Sequence, residues 1–340
     1  MIADLVLGFL GVSILFYCLF AGADFGAGIL EIFLGKKLQE EQKKLITRAM
    51  SPVWEANHVW LILAVVIVFN AFPRVYSQLS ISLHIPLTLM LMGVILRGCS
   101  FTFRHYDVDK GPSQKVYSFI FSTSSVLTPF FLGVVAAGMI LGRIGSSDPS
   151  FYAQYIDPWF RGFSFFVGVF VCALFTFLAA AYLAGDARDQ ELKQLFVRRA
   201  KVANLVAVVA GAGVFVSAEV SGFRLMQRFF SDPFSIGCFI LATLGLAPIW
   251  WALKSGRAWT VRILAGLQVT LVLLGWFSVQ YPVLIALAPD SSLMPFDLVH
   301  TAAPAATLRY LLGALVAGSL LILPALVFLL RTFKRDQDSG

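Results

Sequence analysis

The chain has 340 residues, of which 59% are hydrophobic and only 13% are charged, and it contains 32 phenylalanines. Because a soluble globular domain is about half apolar and about a quarter charged, this composition excludes an ordinary soluble domain. It predicts an all-α, polytopic integral membrane protein. The formal net charge of +7 does not indicate a nucleic-acid partner, because the basic residues concentrate in alternate loops.

Apolar stretches long enough to cross a bilayer recur along the whole chain. A hydrocarbon core of about 30 Å needs about 20 apolar residues per helix. This length predicts nine spans, at about 5–34, 52–73, 76–103, 114–142, 158–185, 199–221, 232–253, 259–281 and 305–331. The first is expected to be a retained helix, since MIADLVLGFL has neither a basic region nor a small-residue cleavage site.

The connections are too short for a second folded domain, so residues 1–335 are interpreted as a single transmembrane domain and 336–340 as a disordered tail. The connection 282–304 is expected to cap the outer face as a partly ordered loop.

Nineteen of the 26 basic residues fall in one set of alternate loops and the tail, and six fall in the other set. Short cytoplasmic loops carry such an excess. The N-terminus is therefore expected outside and the C-terminus in the cytoplasm.

Three acids lie within or near the first two spans. Asp24 precedes the expected end of span one by eleven residues, about 16 Å along a helix, which places it near mid-membrane. Glu31 follows two turns later on the same face. Glu55 lies about one turn into span two, and His58 shares its face. Ionisable residues at bilayer depth are costly and commonly form proton relays, so these four residues are candidates for proton transfer.

Structural roles are the alternatives for the same residues. Glu31 is close enough to the interface to reach water or to pair with Lys36 or Lys37. Glu55 is also compatible with an acid favoured by the helix dipole in a first turn. Arg97 is a buried cation inside span three, expected to pair with an acid, with backbone carbonyls or at a partner interface.

No haem or metal site is expected in this chain. His58 and His84 are the histidines inside predicted spans, and the topology puts them near opposite faces of the membrane. No span has two histidines at chelating spacing. The four cysteines, at positions 18, 99, 172 and 238, lie in apolar segments without a metal or disulfide spacing, so they are interpreted as small hydrophobic residues.

Three motifs in the first hundred residues resemble one family. GADFGAG at 22–28 and PVWEANHVWLI at 52–62 are similar to segments of helices one and two in subunit II of cytochrome bd-type quinol oxidases, and FNAFPRVYS at 69–77 is similar to the turn that follows. Beyond them, only hydropathy and the number of spans agree.

The resemblance implies a haem-free subunit of a complex that oxidises quinol and reduces dioxygen to water in a bacterial or archaeal cytoplasmic membrane. Its partner would be subunit I, which holds two b-type haems and one d-type haem, with a small third subunit also possible. The family's acids at the positions of Asp24 and Glu55 are implicated in carrying protons from the cytoplasm. Trp54 matches a position near a structural quinone in some members, and the adjacent Asn57 is a second possible quinone contact.

The sequence departs from the family pattern where many members have a further acid, since this chain has Ala21 there. We therefore expect Glu55 to collect protons, His58 or a water to pass them, and Asp24 to hand them toward the partner. Two alternatives remain open. A quinone-binding membrane anchor of another oxidoreductase would use Trp54 and the acids equally well, and a secondary transporter would also hold charges near mid-membrane, although no pair of broken helices indicates one.

Overall fold

The computed structural model describes residues 1–33, 38–106, 112–187 and 189–338, with the backbone alone at 39, 50–56, 105–106, 112, 258, 323, 326–327 and 329–338. The fold is helical, as the composition predicts. The long helices are α1 (Ile2–Ile32), α2 (Gln39–Ala71), α4 (His84–Tyr106), α5 (Pro112–Ile140), α7 (Gly162–Asp186), α8 (Gln190–Val220), α12 (Ala258–Gln280) and α14 (Ala305–Asp338). The shorter helices are α3 (Pro73–Ser82), α6 (Phe151–Tyr155), α9 (Leu225–Ser231), α10 (Pro233–Leu244), α11 (Leu246–Ser255) and α13 (Leu298–Thr301).

Within the described residues, eight helical segments are long and apolar enough to cross a membrane, and a ninth is counted if α2 and α3 form one span bent by 112°. This agrees with the predicted number. The third predicted span differs, because the residues from 76 to 82 belong to α3 and the membrane-crossing part of α4 begins only at His84. The bend lies at Phe72 and Pro73, where the proline cannot donate the backbone hydrogen bond that would continue α2.

Helices α1 and α7 form the centre of the bundle. The main core cluster joins their inner faces to α8, α11 and α12, and α7 is the most deeply buried span. The two helices meet closely at Gly26, where an added Cβ would lie 2.0 Å from the backbone oxygen of Phe175. Only glycine fits this crossing, which fixes the α1 face that carries Asp24.

The longest connection is ordered and folds against one end of the bundle. Its two short strands, β1 (Val283–Ile285) and β2 (Phe296–Asp297), pair antiparallel, and backbone hydrogen bonds link it to Met139, Ile144 and Ala71. Asp290 accepts hydrogen bonds from both serines of the 146–147 pair. The predicted cap is therefore present, with short strands that the sequence analysis did not predict.

The C-terminal helix α14 extends to Asp338, so residues 336–338 are helical where the sequence predicted a disordered tail. Residues 339–340 lie outside the described part of the chain. The four cysteines are free, and Cys99 is exposed whereas Cys18 and Cys238 are buried.

Candidate functional site: a buried acid–arginine cluster

Asp24 and Arg97 form an ion pair inside the bundle. The two side chains are each 2% exposed, and Nη1 of Arg97 lies 2.5 Å from Oδ2 of Asp24. Nη2 donates to Oδ1 and to the backbone oxygen of Asp24, both at 2.8 Å. The paired charges compensate one another in a region where an isolated charge costs about 2.5–3.5 kcal/mol even on the mildest insertion scale. The pair therefore joins α1 to α4 in one fixed geometry.

The remaining faces of the Arg97 guanidinium are also occupied. Its Nε donates to Ser125 Oγ on α5 at 3.0 Å, and its plane lies over the rings of Phe25 and Phe121 at 4.7 Å each. Ser125 reaches this position because α1 has a glycine opposite it, and a Cβ at Gly28 would lie 2.0 Å from the hydroxyl. Together these contacts hold the buried guanidinium of Arg97, which extends from α4, between α1 and α5.

A second pair repeats this arrangement two turns away. Glu31 accepts from Nη1 and Nη2 of Arg104 at 2.8 and 3.0 Å, and the carboxylate is 2% exposed while the arginine side chain is 14% exposed. In both pairs the arginine follows the acid by 73 residues in the sequence. The separation is the same because the two acids are seven residues apart on α1 and the two arginines are seven residues apart on α4. Both guanidinium groups also lie over Phe121. We call Asp24, Arg97, Glu31 and Arg104 the charge ladder.

Helix α2 joins the charge ladder through Asn57. Its Nδ2 donates to Asp24 Oδ2 at 3.0 Å, and the side chain is fully buried. His58, the next residue, is half-buried and interacts electrostatically with Asp24 and Arg97. The predicted proton-transfer residues Asp24 and His58 are thus neighbours in space. Glu55 and Trp54 lie in the helical backbone of α2, but their side chains fall outside the described part of the structure. Because α2 begins at Gln39, Glu55 lies about four turns into the helix, so its expected position in a first turn was wrong.

Several buried polar atoms on α2 have no hydrogen-bond partner among the described residues. They are Oδ1 of Asn57, Nε1 of Trp60 and both amide atoms of Gln42. Buried polar atoms are ordinarily paired with protein groups or ordered water, so ordered water is expected at these atoms of α2.

The three histidines with described side chains, His58, His84 and His300, lie on different elements. His84, at the start of α4, has Nδ1 2.9 Å from the Ile81 oxygen and packs edge-on against Tyr155. His300 lies in the ordered connection beside Asp297. Within the described residues, no group of three or more His, Cys, Asp or Glu side chains is placed to hold a metal ion.

Arg104 and Ser125 are site residues that were not predicted. Arg104 is one of the nineteen basic residues assigned above to the basic set of loops, and Glu31 is expected from the sequence to reach water or to pair with Lys36 or Lys37. The structure instead pairs Glu31 with Arg104, and Lys36 and Lys37 lie outside the described residues. The matched spacing of seven, in the acids and again in the arginines, is the signal that could have identified this partner.

The fold and the charge ladder define a polytopic, helical membrane protein with paired charges in its interior. The chain belongs to the cytochrome bd terminal oxidase subunit II family, whose model matches residues 2–333. The family inferred from the three motifs is therefore confirmed, and the match extends far beyond the hundred residues that contain them.

Individual relatives agree with this assignment. The chain is 31% identical over 170 residues to the cytochrome bd ubiquinol oxidase subunit 2 of Bacillus subtilis (strain 168), covering 49% of each protein. It is 25% identical over 221 residues to the cytochrome bd-I ubiquinol oxidase subunit 2 of Escherichia coli (strain K12), covering 63% of this chain and 56% of that protein. The matched stretches thus span about half the length of these relatives.

A longer match is to the putative cytochrome bd menaquinol oxidase subunit II of Bacillus subtilis (strain 168), at 21% identity over 94% of this chain and 92% of the relative. A chain of the solved bd oxidase from Geobacillus thermodenitrificans superimposes with a TM-score of 0.80, covering 98% of both chains at 18% sequence identity. This likeness establishes a common fold and confirms the predicted helical membrane architecture.

Proposed function

We propose that this chain is the haem-free subunit of a cytochrome bd-type oxidase that oxidises membrane quinol and reduces dioxygen to water. The partner is a subunit I that holds two b-type haems and one d-type haem and forms a heterodimer with this chain in a bacterial or archaeal cytoplasmic membrane. The family match over residues 2–333 supports the assignment. The excess of Lys and Arg in one set of loops supports an outside N-terminus and a cytoplasmic C-terminus.

The observation that carries the mechanism is the contact between Asp24 and α2. Asp24 Oδ2 accepts from both Arg97 and Asn57, and His58 is next to Asn57 in the same helix. We therefore assign the proton path to the face of α2 that carries Glu55 and His58. The path ends at Asp24 on α1. Protons enter from the cytoplasmic side at Glu55, and His58 with ordered water carries them inward.

The contacts of Asp24 refine its part in this path. Its two carboxylate oxygens accept from Nη1 and Nη2 of Arg97, and a proton added to the carboxylate would leave the guanidinium charge without its counter-charge. Asp24 therefore acts mainly as a fixed negative charge that favours a proton on the nearby His58 or on water. Oδ1 of Asn57, which has no donor among the described residues, positions that water beside the charge.

Glu31 contributes a second fixed charge nearer the cytoplasmic end. Both of its oxygens accept from Arg104, so the pair is electrically balanced and, like the first pair, holds α4 against α1. In this arrangement Glu31 supports the path by keeping the charge ladder in register.

Asn57 and Trp54 form the proposed quinone contact. Nδ2 of Asn57 already donates to Asp24, so Oδ1 of Asn57 would accept from a hydroxyl of the reduced headgroup, a quinol, bound near Trp54. Quinone extracted from the purified complex and quantified by chromatography tests this proposal. Wild type should retain bound quinone and Trp54→Ala should lose it, and equal quinone in both would contradict the contact.

The identity of the complex is tested by purifying it through a tag on this chain and recording its reduced-minus-oxidised spectrum. A d-type haem signal in a co-purifying partner is expected. A partner with only iron–sulfur centres, or with b-type haem alone, would favour the membrane anchor of a different oxidoreductase.

The path is tested by replacing Glu55 with alanine and measuring quinol-driven oxygen uptake. Glu41→Ala is the matched control, because Glu41 is an exposed acid on the same helix. We expect slower oxygen uptake in Glu55→Ala and wild-type uptake in Glu41→Ala. Wild-type turnover of both variants in an intact complex would contradict the path.

A further inference from the structure

An open apolar groove lies at the end of the bundle opposite the charge-rich loops. It has a volume of about 530 Å³ and is formed where α5 ends, α7 begins and α8 ends. This volume lies within the range of about 300–1,000 Å³ that is usual for small-molecule sites. The groove runs along α8 from Gly213 to Ser221, about 12 Å at 1.5 Å per residue.

The shape of the groove comes from a glycine on α8. A Cβ at Gly213 would lie 2.5 Å from the ring of Phe166 on α7, so the two helices approach closely there. Val216 and Val220 continue the wall toward the rim and are 63% and 84% exposed. In a membrane-spanning chain such side chains face acyl chains, and the notch between α7 and α8 would hold one of them.

Two arginines stand at the rim. Arg143 and Arg161 line the groove, with side chains 45% and 40% exposed. Asp157 is the acid they share, in close contact with Arg161 and 4.0 Å from Arg143. Because two arginines share one carboxylate, these three residues carry a net charge of +1. Arg143 is the farther of the two arginines from Asp157.

Two further arginines lie past the rim, in the region where the exposed Glu219 accepts from the Met226 amide. A second cavity, of about 410 Å³, begins at Gly222, one residue after the groove ends at Ser221, and Arg224 and Arg228 line it. These two and the rim pair are four of the six basic residues in the loops predicted to be outside. Arginine is thus concentrated beside the groove on a side of the protein where basic residues are scarce.

We propose that the groove binds one anionic phospholipid from the leaflet at this end of the bundle. The acyl chain occupies the notch between α7 and α8, and the headgroup phosphate lies against Arg143 and Arg161. Arginine suits this position because its planar guanidinium donates two hydrogen bonds to one phosphate. The combination of an apolar notch with a positively charged rim is the complement of a lipid that has one negative headgroup.

The test uses spin-labelled phosphatidylglycerol and phosphatidylcholine with the purified complex in nanodiscs, and it measures the fraction of each lipid that is immobilised. We expect wild type to prefer phosphatidylglycerol. Arg143→Gln should lower the preference about fivefold, the contribution of one basic residue to anionic-lipid attraction. Arg309→Gln is the matched control, since Arg309 is exposed at the same end and lies outside the groove lining.

A second variant separates the acyl chain from the headgroup. Val216→Trp fills the groove from an exposed position, so it should reduce immobilisation of both lipids without changing their ratio. Inorganic phosphate should compete poorly, because it lacks the acyl chain. An equal loss of preference in Arg143→Gln and Arg309→Gln would overturn the proposal. Wild-type immobilisation in Val216→Trp, or a partner subunit found to cover the groove, would also overturn it.

Discussion

Replacing Arg97 by methionine tests the charge ladder where it is most deeply buried. The change removes three hydrogen bonds to Asp24, two to the carboxylate and one to its backbone oxygen. It leaves a carboxylate that is 2% exposed without its counter-charge. Breaking a buried pair by removing one partner costs about 3–5 kcal/mol, so the free energy of unfolding should fall by that amount.

The double variant Asp24→Leu/Arg97→Met separates the loss of the pair from the loss of packing. Replacing both buried charges by apolar groups is often neutral or stabilising by about 1–4 kcal/mol relative to the pair. The double variant should therefore be more stable than Arg97→Met alone. Steric trapping of the complex in nanodiscs measures the free energies. A loss below about 1 kcal/mol in Arg97→Met, or a double variant whose loss equals the sum of both single losses, would refute the reasoning.

Oxygen uptake by the same double variant distinguishes a structural from a functional role of Asp24. Because the proposed path needs a negative charge beside His58, the rate of oxygen uptake should stay low even if the double variant recovers its free energy of unfolding. Recovery of both stability and turnover would show that Asp24 serves only to hold Arg97.

Two further outcomes follow from the packing and from the ordered connection. Gly26→Ala should cost at least about 2 kcal/mol because its Cβ would meet the Phe175 backbone oxygen, whereas Gly8→Ala, with nothing within 4 Å of the added Cβ, should be neutral in thermal unfolding. Hydrogen bonds from Ser147 are the largest of the influences that lower the pKa of Asp290 to about 2. The Asp290 contact should therefore be complete above the usual carboxyl pKa and be lost as the pH falls toward 2, and Asp290→Ala should speed hydrogen exchange in 282–304 at neutral pH. Unchanged exchange in that variant would contradict this contribution.

Composition and charge are sufficient to predict the number of membrane spans, because the bilayer thickness imposes nearly the same length on every helix. They place a turn between residues 73 and 76, but they do not show that Pro73–Ser82 forms a separate helix ahead of α4. The two short strands were also missed. Strands of three and two residues depend on long-range pairing rather than on local periodicity.

The charge ladder was only partly predictable. Arg97 is recognisable as a buried cation because it lies within an apolar span, but the choice of Asp24, 73 residues away in sequence, depends on how α1 and α4 both pack against α5. Arg104 lies at the end of a span, where the same residue type also marks a cytoplasmic loop, so hydropathy assigned it to water. The packing of α1 and α4 against α5, with Phe121 under the guanidinium, buries its ion pair with Glu31.

Sided proton uptake tests the central claim most directly. The complex is reconstituted in liposomes, quinol and dioxygen are supplied, and the pH is followed separately on the face with the Lys- and Arg-rich loops and on the opposite face. We expect wild type and Glu41→Ala to take up protons from the basic face. In Glu55→Ala uptake should be at least about tenfold slower, since a positioned proton-transfer group contributes about 10²–10⁴-fold. Wild-type uptake from that face by an intact Glu55→Ala complex would contradict the path through this chain.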